Sequence, residues 1–163
     1  MKKLIIFLAL IISGIAFGQF TVSDSSDNWD KIGNVYAHTF LYQRKDKTKA
    51  KIEYRDFESM RLNTSYTNID LSYYVFEFST EPDTLDKIYK IFKDHYATKK
   101  VETVTLQFPE GQMQIQFGKA LGTFYSLMKF EKANTLLDKG DRAIKTTGSM
   151  KEKQLDQLFG KAK

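Results

Sequence analysis

The sequence predicts an α+β domain, in which a mostly antiparallel sheet of about six to seven strands carries two helices. One helix is expected mid-chain and the other at the C-terminal end. Aromatic residues make up 14 % of the chain, which has only two prolines, and aromatic side chains suit a pleated, half-buried surface. Short stretches with a period of two recur along the chain, and two segments have a helical period. The connections are short, which favours antiparallel neighbours.

The first eighteen residues have the pattern of an export signal. Lys2 and Lys3 precede an apolar run over residues 4–12, and small residues at Ala16 and Gly18 suit a signal peptidase. We expect cleavage between Gly18 and Gln19, which leaves a single globular domain over residues 19–163. A membrane anchor is the alternative, but the apolar run is shorter than the roughly 20 residues that a spanning helix needs. Nothing after residue 18 is long and apolar enough to span a membrane.

Residues 33–44 are predicted to form one strand with two largely apolar faces. Such a strand is expected to be covered on both sides for part of its length. One of its faces carries four ring side chains, namely Tyr36, His38, Phe40 and Tyr42. After a polar hairpin tip, apolar residues alternate with charged ones over residues 50–55 and predict a half-buried strand. A third strand is expected over residues 71–78.

The segment over residues 80–97 is predicted to be an amphipathic helix. Thr80 and Asp83 have the spacing of a capping box. Four apolar residues then fall on one helical face, because their spacing is i, i+3, i+7 and i+11: Leu85, Ile88, Phe92 and Tyr96. His95 lies in the last turn, where a cation interacts favourably with the helix dipole.

The second half of the chain is predicted to begin with a hairpin over residues 101–117 that turns at residues 109–111. A strand over residues 121–130 follows, and Gly118 and Gly122 are expected to form the tight turn before it. A short edge strand at residues 143–144 and a C-terminal helix over residues 149–160 complete the prediction, with Ser149 and Glu152 as capping box. One face of the hairpin is uncharged and polar, with Thr103, Thr105, Gln107, Gln112, Gln114 and Gln116.

The residues that usually carry catalysis or bind metal are sparse. There is no cysteine and there are two histidines, and neither histidine has the spacing of a metal-binding motif. We therefore predict no cofactor, no metal site and no identified catalytic residue. Two carboxylate groupings remain as alternatives: Asp24, Asp27 and Asp30 as an irregular Ca²⁺ loop, and Asp56 with Glu58 as a glycosidase-type acid and base.

The charge of the chain makes nucleic acid an unexpected partner. The net charge is +5, and removal of residues 1–18 leaves 23 basic and 20 acidic side chains. So small an excess favours solubility and weak attraction to acidic surfaces. Together with the export signal, it places the expected site of action in the periplasm or outside a Gram-negative cell.

Two surfaces are candidates for ligand binding. The ring face of residues 36–42 could stack sugar rings or hold an apolar ligand, unless a helix covers it as part of the core. The polar hairpin face could hydrogen-bond a glycan or a partner, or could simply be solvated. We therefore expect a non-catalytic binding or interaction protein of the bacterial envelope, whose partner is a protein, a glycan or a small apolar ligand. A carboxylate-dependent hydrolase acting on the envelope and a structural component of an envelope complex are the alternatives.

The predicted helix face yields a direct test. Phe92→Ala should lower the free energy of unfolding by about 3–5 kcal/mol, because it would leave a cavity where a buried ring had packed. Urea unfolding followed by circular dichroism measures the change. A loss below about 1 kcal/mol would mean that Phe92 does not face the core.

Overall fold

The structure is a computed structural model that describes residues 28–55, 73–133 and 145–162. Within them the chain has the predicted α+β class, with two four-stranded antiparallel sheets and two helices. The elements are β1 (Trp29–Val35), β2 (Thr39–Arg44), β3 (Lys49–Arg55), β4 (Tyr73–Ser79), α1 (Thr84–Thr98), β5 (Thr103–Phe108), β6 (Gly111–Ala120), β7 (Thr123–Lys132), β8 (Lys145–Thr146) and α2 (Glu152–Leu158).

Several sequence predictions lie outside the described residues. These are the export signal with its cleavage site at Gly18 and Gln19, two members of the aspartate cluster, the Asp56 and Glu58 pair, and the edge strand at residues 143–144. A two-residue strand, β8, is present directly after that last position and pairs with β7.

The expectation of one sheet is wrong, because the strands divide into two sheets. Strands β1 to β4 form the first sheet as a simple meander, and β5 to β8 form the second in the same way. Helix α1 is the connection between them. Period-two alternation shows that one face of a strand is buried. It does not show whether a helix or a second sheet covers that face, so the sequence could not give the number of sheets.

The strand predicted over residues 33–44 is also wrong, because the chain turns sharply within it. Val35 ends β1 and pairs with Thr39 at the start of β2. Tyr36, in the turn, has a φ of +50°, and the side-chain amide of Asn34 donates to the Tyr36 carbonyl at 2.7 Å. No glycine or proline marks this turn, and a tyrosine rarely takes a left-handed conformation. The alternation of apolar residues therefore concealed it.

The two sheets pack face to face through aromatic rings. The Phe130 ring lies 4.7 Å from the Tyr54 ring and 5.0 Å from the Phe76 ring, measured between centroids. At the other side of the interface, the Phe78 and Phe108 rings are 4.7 Å apart. The buried side chains of both sheets and both helices belong to one hydrophobic cluster.

The predicted core face of α1 is confirmed. Ile88, Phe92 and Tyr96 are buried, and Phe92 has no exposed surface. Its capping box is absent, however. Asp83 is the N-cap, but its side chain makes no capping hydrogen bond, and the Thr80 hydroxyl donates instead to the Lys47 carbonyl at 2.7 Å. The spacing of Thr80 and Asp83 therefore did not predict the cap, because the Thr80 hydroxyl binds a residue that is distant in sequence.

Helix α2 packs against β1 and α1. A Cβ atom at Gly33 would overlap the Gln157 carbonyl oxygen, so glycine is needed for the helix to approach the strand this closely. Tyr89 of α1 donates its hydroxyl to Asp156 at 2.7 Å. The helix begins later than predicted, since Lys151 is the N-cap and its backbone N–H donates to Gln154 Oε1 at 2.7 Å.

Tyr96 links the core to the segment that leads into α2. Its side chain is 2 % exposed, and its hydroxyl donates to the Met150 carbonyl at 2.5 Å and lies 3.1 Å from Ser126 Oγ. Met150 in turn pairs with Ser126 as an isolated antiparallel bridge. Burial raises the pKa of the Tyr96 hydroxyl above its ordinary value of 10.0.

Tyr96→Phe should lower the free energy of unfolding by about 0.5–1.5 kcal/mol near neutral pH, because a buried hydrogen bond is lost. It should also flatten the alkaline loss of stability. A raised pKa means that the unfolded chain releases this proton first, so the stability present below pH 10 is lost as the pH rises through the folded-state pKa. Urea unfolding at several pH values measures both effects; equal alkaline slopes for the two proteins would contradict the second.

Candidate functional site

A surface groove of about 680 Å³ lies beside the turn between β1 and β2. Its walls are that turn, the outer faces of β6 and β7, and the segment that precedes and begins α2. The lining is mixed. It contains two tyrosine rings, Tyr36 and Tyr125, and several amide and hydroxyl side chains, among them Gln116, Thr123, Ser149 and Gln154. Clefts of this size that combine rings with a few polar groups are typical ligand sites.

Tyr36 stands at the centre of the site. Its side chain is 68 % exposed, and the left-handed backbone conformation is costly for a bulky residue. The amide of Gln154 in α2 donates to the Tyr36 hydroxyl, so the ring is tied across the groove to the helix. A strained, exposed and tethered aromatic ring contributes little to the core, which makes it a candidate for ligand contact.

Tyr125 forms the second ring of the groove. A Cβ atom at Gly118 would lie 2.7 Å from the Tyr125 hydroxyl oxygen and 2.8 Å from Cζ, so the phenol ring lies directly over this glycine. Register places Gly118 opposite Tyr125 on the neighbouring strand. The glycine therefore leaves the space that lets the ring lie across the sheet.

The predicted polar face of the hairpin is present and leads into the groove. Thr103, Thr105 and Gln107 are exposed and lie opposite Gln116, Gln114 and Gln112 respectively. The apolar residues that alternate with them face the core. Of this face, Gln116 lines the groove, where the uncharged surface meets Lys129 and Lys151.

A second cavity of about 320 Å³ adjoins the groove. Tyr36, Ser149 and Met150 line both cavities. His38 and Arg55 also line the second cavity. The Nε atom of Arg55 is buried and has no hydrogen-bond partner. The Arg55 guanidinium lies 4.8 Å from the centre of the Tyr73 ring, and the Tyr73 hydroxyl donates to the Ala37 carbonyl in the turn at 2.7 Å.

The four predicted ring residues do not share a surface. Tyr36 and His38 lie in the turn and line the second cavity, whereas Phe40 and Tyr42 lie on the outer face of the first sheet. There Lys31 lies 4.9 Å from the Phe40 ring centre and Lys51 lies 4.9 Å from that of Tyr42. The turn at Tyr36 breaks the strand alternation on which the single face depended.

Phe40 and Tyr42 are half-buried on the outer face of the first sheet, so they are neither fully exposed nor part of the core. Phe40 stacks on Tyr42 with ring centres 6.4 Å apart. Partial burial, followed by the negative charge of Glu53, raises the pKa of the Tyr42 hydroxyl. Tyr42 therefore stays protonated and uncharged on a face where cations lie against the rings.

Three residues of the site were missed from the sequence. In the sequence, Tyr125 cannot be distinguished from other outward-facing strand residues. Arg55 likewise cannot be distinguished from other charged residues at strand ends. Gly118 was assigned to a turn, but it lies within β6; Leu121 and Gly122, both with positive φ, form the turn instead. A glycine on a strand, opposite a tyrosine, is the one signal that could have indicated the ring stacked above it.

Side chains arranged for metal binding or catalysis are few in the described part of the chain. No group of three or more His, Asp or Glu side chains there could hold a metal ion. His95 stacks on Phe117, with ring centres 4.0 Å apart, and its nitrogens lie 2.7 Å from the Ile91 carbonyl and 2.6 Å from Glu102. Lys100 and then His95 lower the pKa of Glu102. These contacts tie the end of α1 to the start of the second sheet.

Comparisons with known proteins provide no further assignment. No protein-family model, no curated protein and no solved structure matches the chain. Among the described residues, no helix has both the length and the apolar character needed to cross a membrane. The proposals below therefore depend on the geometry of the chain itself.

Proposed function

We propose that this chain is a non-catalytic binding protein of the bacterial envelope, whose groove beside Tyr36 binds a glycan. The observation that carries the proposal is the presence of two ring platforms, Tyr36 and Tyr125, among amide and hydroxyl side chains in one groove. A sugar ring has an apolar face that packs on an aromatic ring and hydroxyls that pair with amides. The groove offers both kinds of contact side by side.

The size and polarity of the groove support a glycan over the other two partner classes. Its volume of about 680 Å³ lies within the range of small-molecule sites, roughly 300–1,000 Å³. An apolar ligand would cover polar lining side chains such as Gln116 and Thr123 without offering them hydrogen bonds, which disfavours its binding. A protein partner needs a broader patch with a buried apolar centre, whereas amide, hydroxyl and lysine side chains are among the residues that line this groove.

The alternative hydrolase needs two carboxylates, or His38 and a carboxylate, in one cavity. Among the described residues that line the groove and the second cavity there is His38 but no Asp or Glu. Asp56 and Glu58 lie outside the described part of the chain. The binding role is therefore the better supported proposal.

The location in the envelope is part of the same proposal. Its support is the sequence pattern of residues 1–18, with two lysines, an apolar run and small residues before Gln19. We propose that the protein acts in the periplasm or outside a Gram-negative cell, after cleavage between Gly18 and Gln19. Envelope polysaccharides would there be within reach of the groove.

Binding can be tested by isothermal titration with a panel of neutral oligosaccharides, beginning with the trimer of N-acetylglucosamine. Tyr36→Ala should weaken binding by about tenfold or more, as expected for the loss of a central aromatic contact. Gly118→Ala should also weaken binding, because its Cβ displaces the Tyr125 ring from above the strand.

The matched control is Tyr42→Ala, which removes an equivalent ring from the outer face of the first sheet and should leave affinity within about twofold. Circular dichroism and urea unfolding would establish that each variant is folded. The proposal fails if no member of the panel binds, or if binding survives both groove substitutions unchanged.

Export can be tested by expressing the full chain in a Gram-negative host and measuring its intact mass in each cell fraction. We expect a periplasmic or extracellular protein that begins at Gln19. Gly18→Leu should retain the segment from Met1, because a large residue replaces the small one that the peptidase reads. A wild-type protein that keeps Met1 and stays in the cytoplasm would contradict the expected location.

A further inference from the structure

We infer that the glycan is acidic, and that the second cavity receives a carboxylate of the ligand beside Arg55. This inference rests on the proposed function, since it names the class of sugar that the groove would take. It depends on a different set of observations, which concern Arg55 and the residues around it.

Among the described residues, no carboxylate forms an ion pair with Arg55. Its Nε–H is buried with no acceptor, and the described structure contains no ion pair to its guanidinium. A buried donor without a partner is costly, and native proteins contain few. Since no described residue provides an acceptor, we assign that role to a ligand.

Three other cations of the first sheet and its hairpin are paired with carboxylates. Lys49 lies 2.7 Å from Glu77, and Lys51 lies 2.8 Å from Glu53. In the hairpin between β2 and β3, Arg44 lies 3.1 Å from Asp46. Arg55 differs from these three in having no carboxylate partner among the described residues.

The surroundings of Arg55 hold the guanidinium in place. It lies 4.8 Å from the Tyr73 ring centre, and that ring is itself fixed by the hydrogen bond from its hydroxyl to Ala37. The planar fork of an arginine matches the two oxygens of a carboxylate. Since the Nε–H has no acceptor among the described residues, it remains a donor for such a partner.

The second cavity also suits a carboxylate in its other described residues. His38, Tyr36 and Ser149 line it and supply groups able to donate hydrogen bonds. No Asp or Glu is among its described lining residues, so none of these would repel an anion. Because Tyr36 and Ser149 also line the groove, one ligand could place a sugar ring in the groove and its acid group beside Arg55.

The test compares trigalacturonic acid with its methyl ester, in which each carboxylate is replaced by an uncharged ester with one added methyl group. Wild-type protein should bind the acid about tenfold or more tightly than the ester, as expected for a charge-assisted pair. Arg55→Gln should abolish this preference and leave ester affinity within about twofold. Arg55→Lys keeps the charge but loses the Nε–H and the planar fork, so it should retain only a small part of the preference.

A spectroscopic readout reports on the contact itself. In ¹⁵N-labelled protein, the Nε–Hε signal of Arg55, identified by its absence from Arg55→Lys, should shift on addition of the acid and not of the ester. Arg44→Gln is the matched control, since it removes a paired arginine of the same sheet, and it should leave the acid preference unchanged. Urea unfolding checks that the arginine variants remain folded.

The outcomes separate this inference from the proposed function. If the acid and the ester bind equally well and Tyr36→Ala weakens both, the inference of an acidic glycan is overturned. The proposal that the groove binds a glycan would remain supported. An acid preference that persists in Arg55→Gln, or no binding of the acid at all, would also overturn it. Binding of the acid that depends on Arg55 but not on Tyr36 or Tyr125 would support the carboxylate site and contradict the groove.

Discussion

The packing of the two sheets through their aromatic faces is the interaction on which the rest of the structure depends. The chain has no cysteine, so burial of rings such as Phe76 and Phe130 has to supply the stability that disulfides give many exported domains. Each sheet uses its apolar face in this contact. The outer faces are therefore left for polar and mixed side chains, and the groove forms where the outer face of the second sheet meets the turn at Tyr36.

The groove is tied to this core at more than one point. Met150, which lines it, is held by the buried Tyr96 hydroxyl and by its pairing with Ser126. Tyr36 is held by Gln154, at the start of α2. A site positioned by buried hydrogen bonds and short turns keeps its geometry before a ligand arrives, which lowers the ordering cost of binding.

The two cavities divide the recognition of a ligand between different physical effects. In the groove, rings and amides can recognise the shape and hydroxyls of a sugar, and no charge is needed for that contact. Beside Arg55 the proposed attraction is electrostatic and directional, since the buried Nε–H has no acceptor among the described residues. On this view the ring contacts would set where a ligand lies, and the cation would select among sugars of similar shape.

Local patterns in the sequence were enough to determine the α+β class, the buried face of α1 around Phe92 and the uncharged face of the hairpin. Each of these is set by residues a few positions apart, because helical and strand periods are local properties. The tertiary structure alone decided that the strands form two sheets, that the chain turns at Tyr36, and that Tyr125 lies over Gly118. It also decided that the Arg55 Nε–H has no acceptor among the described residues. These features depend on which distant segments contact each other. The spacing of residues along one segment does not indicate which other segments pack against it.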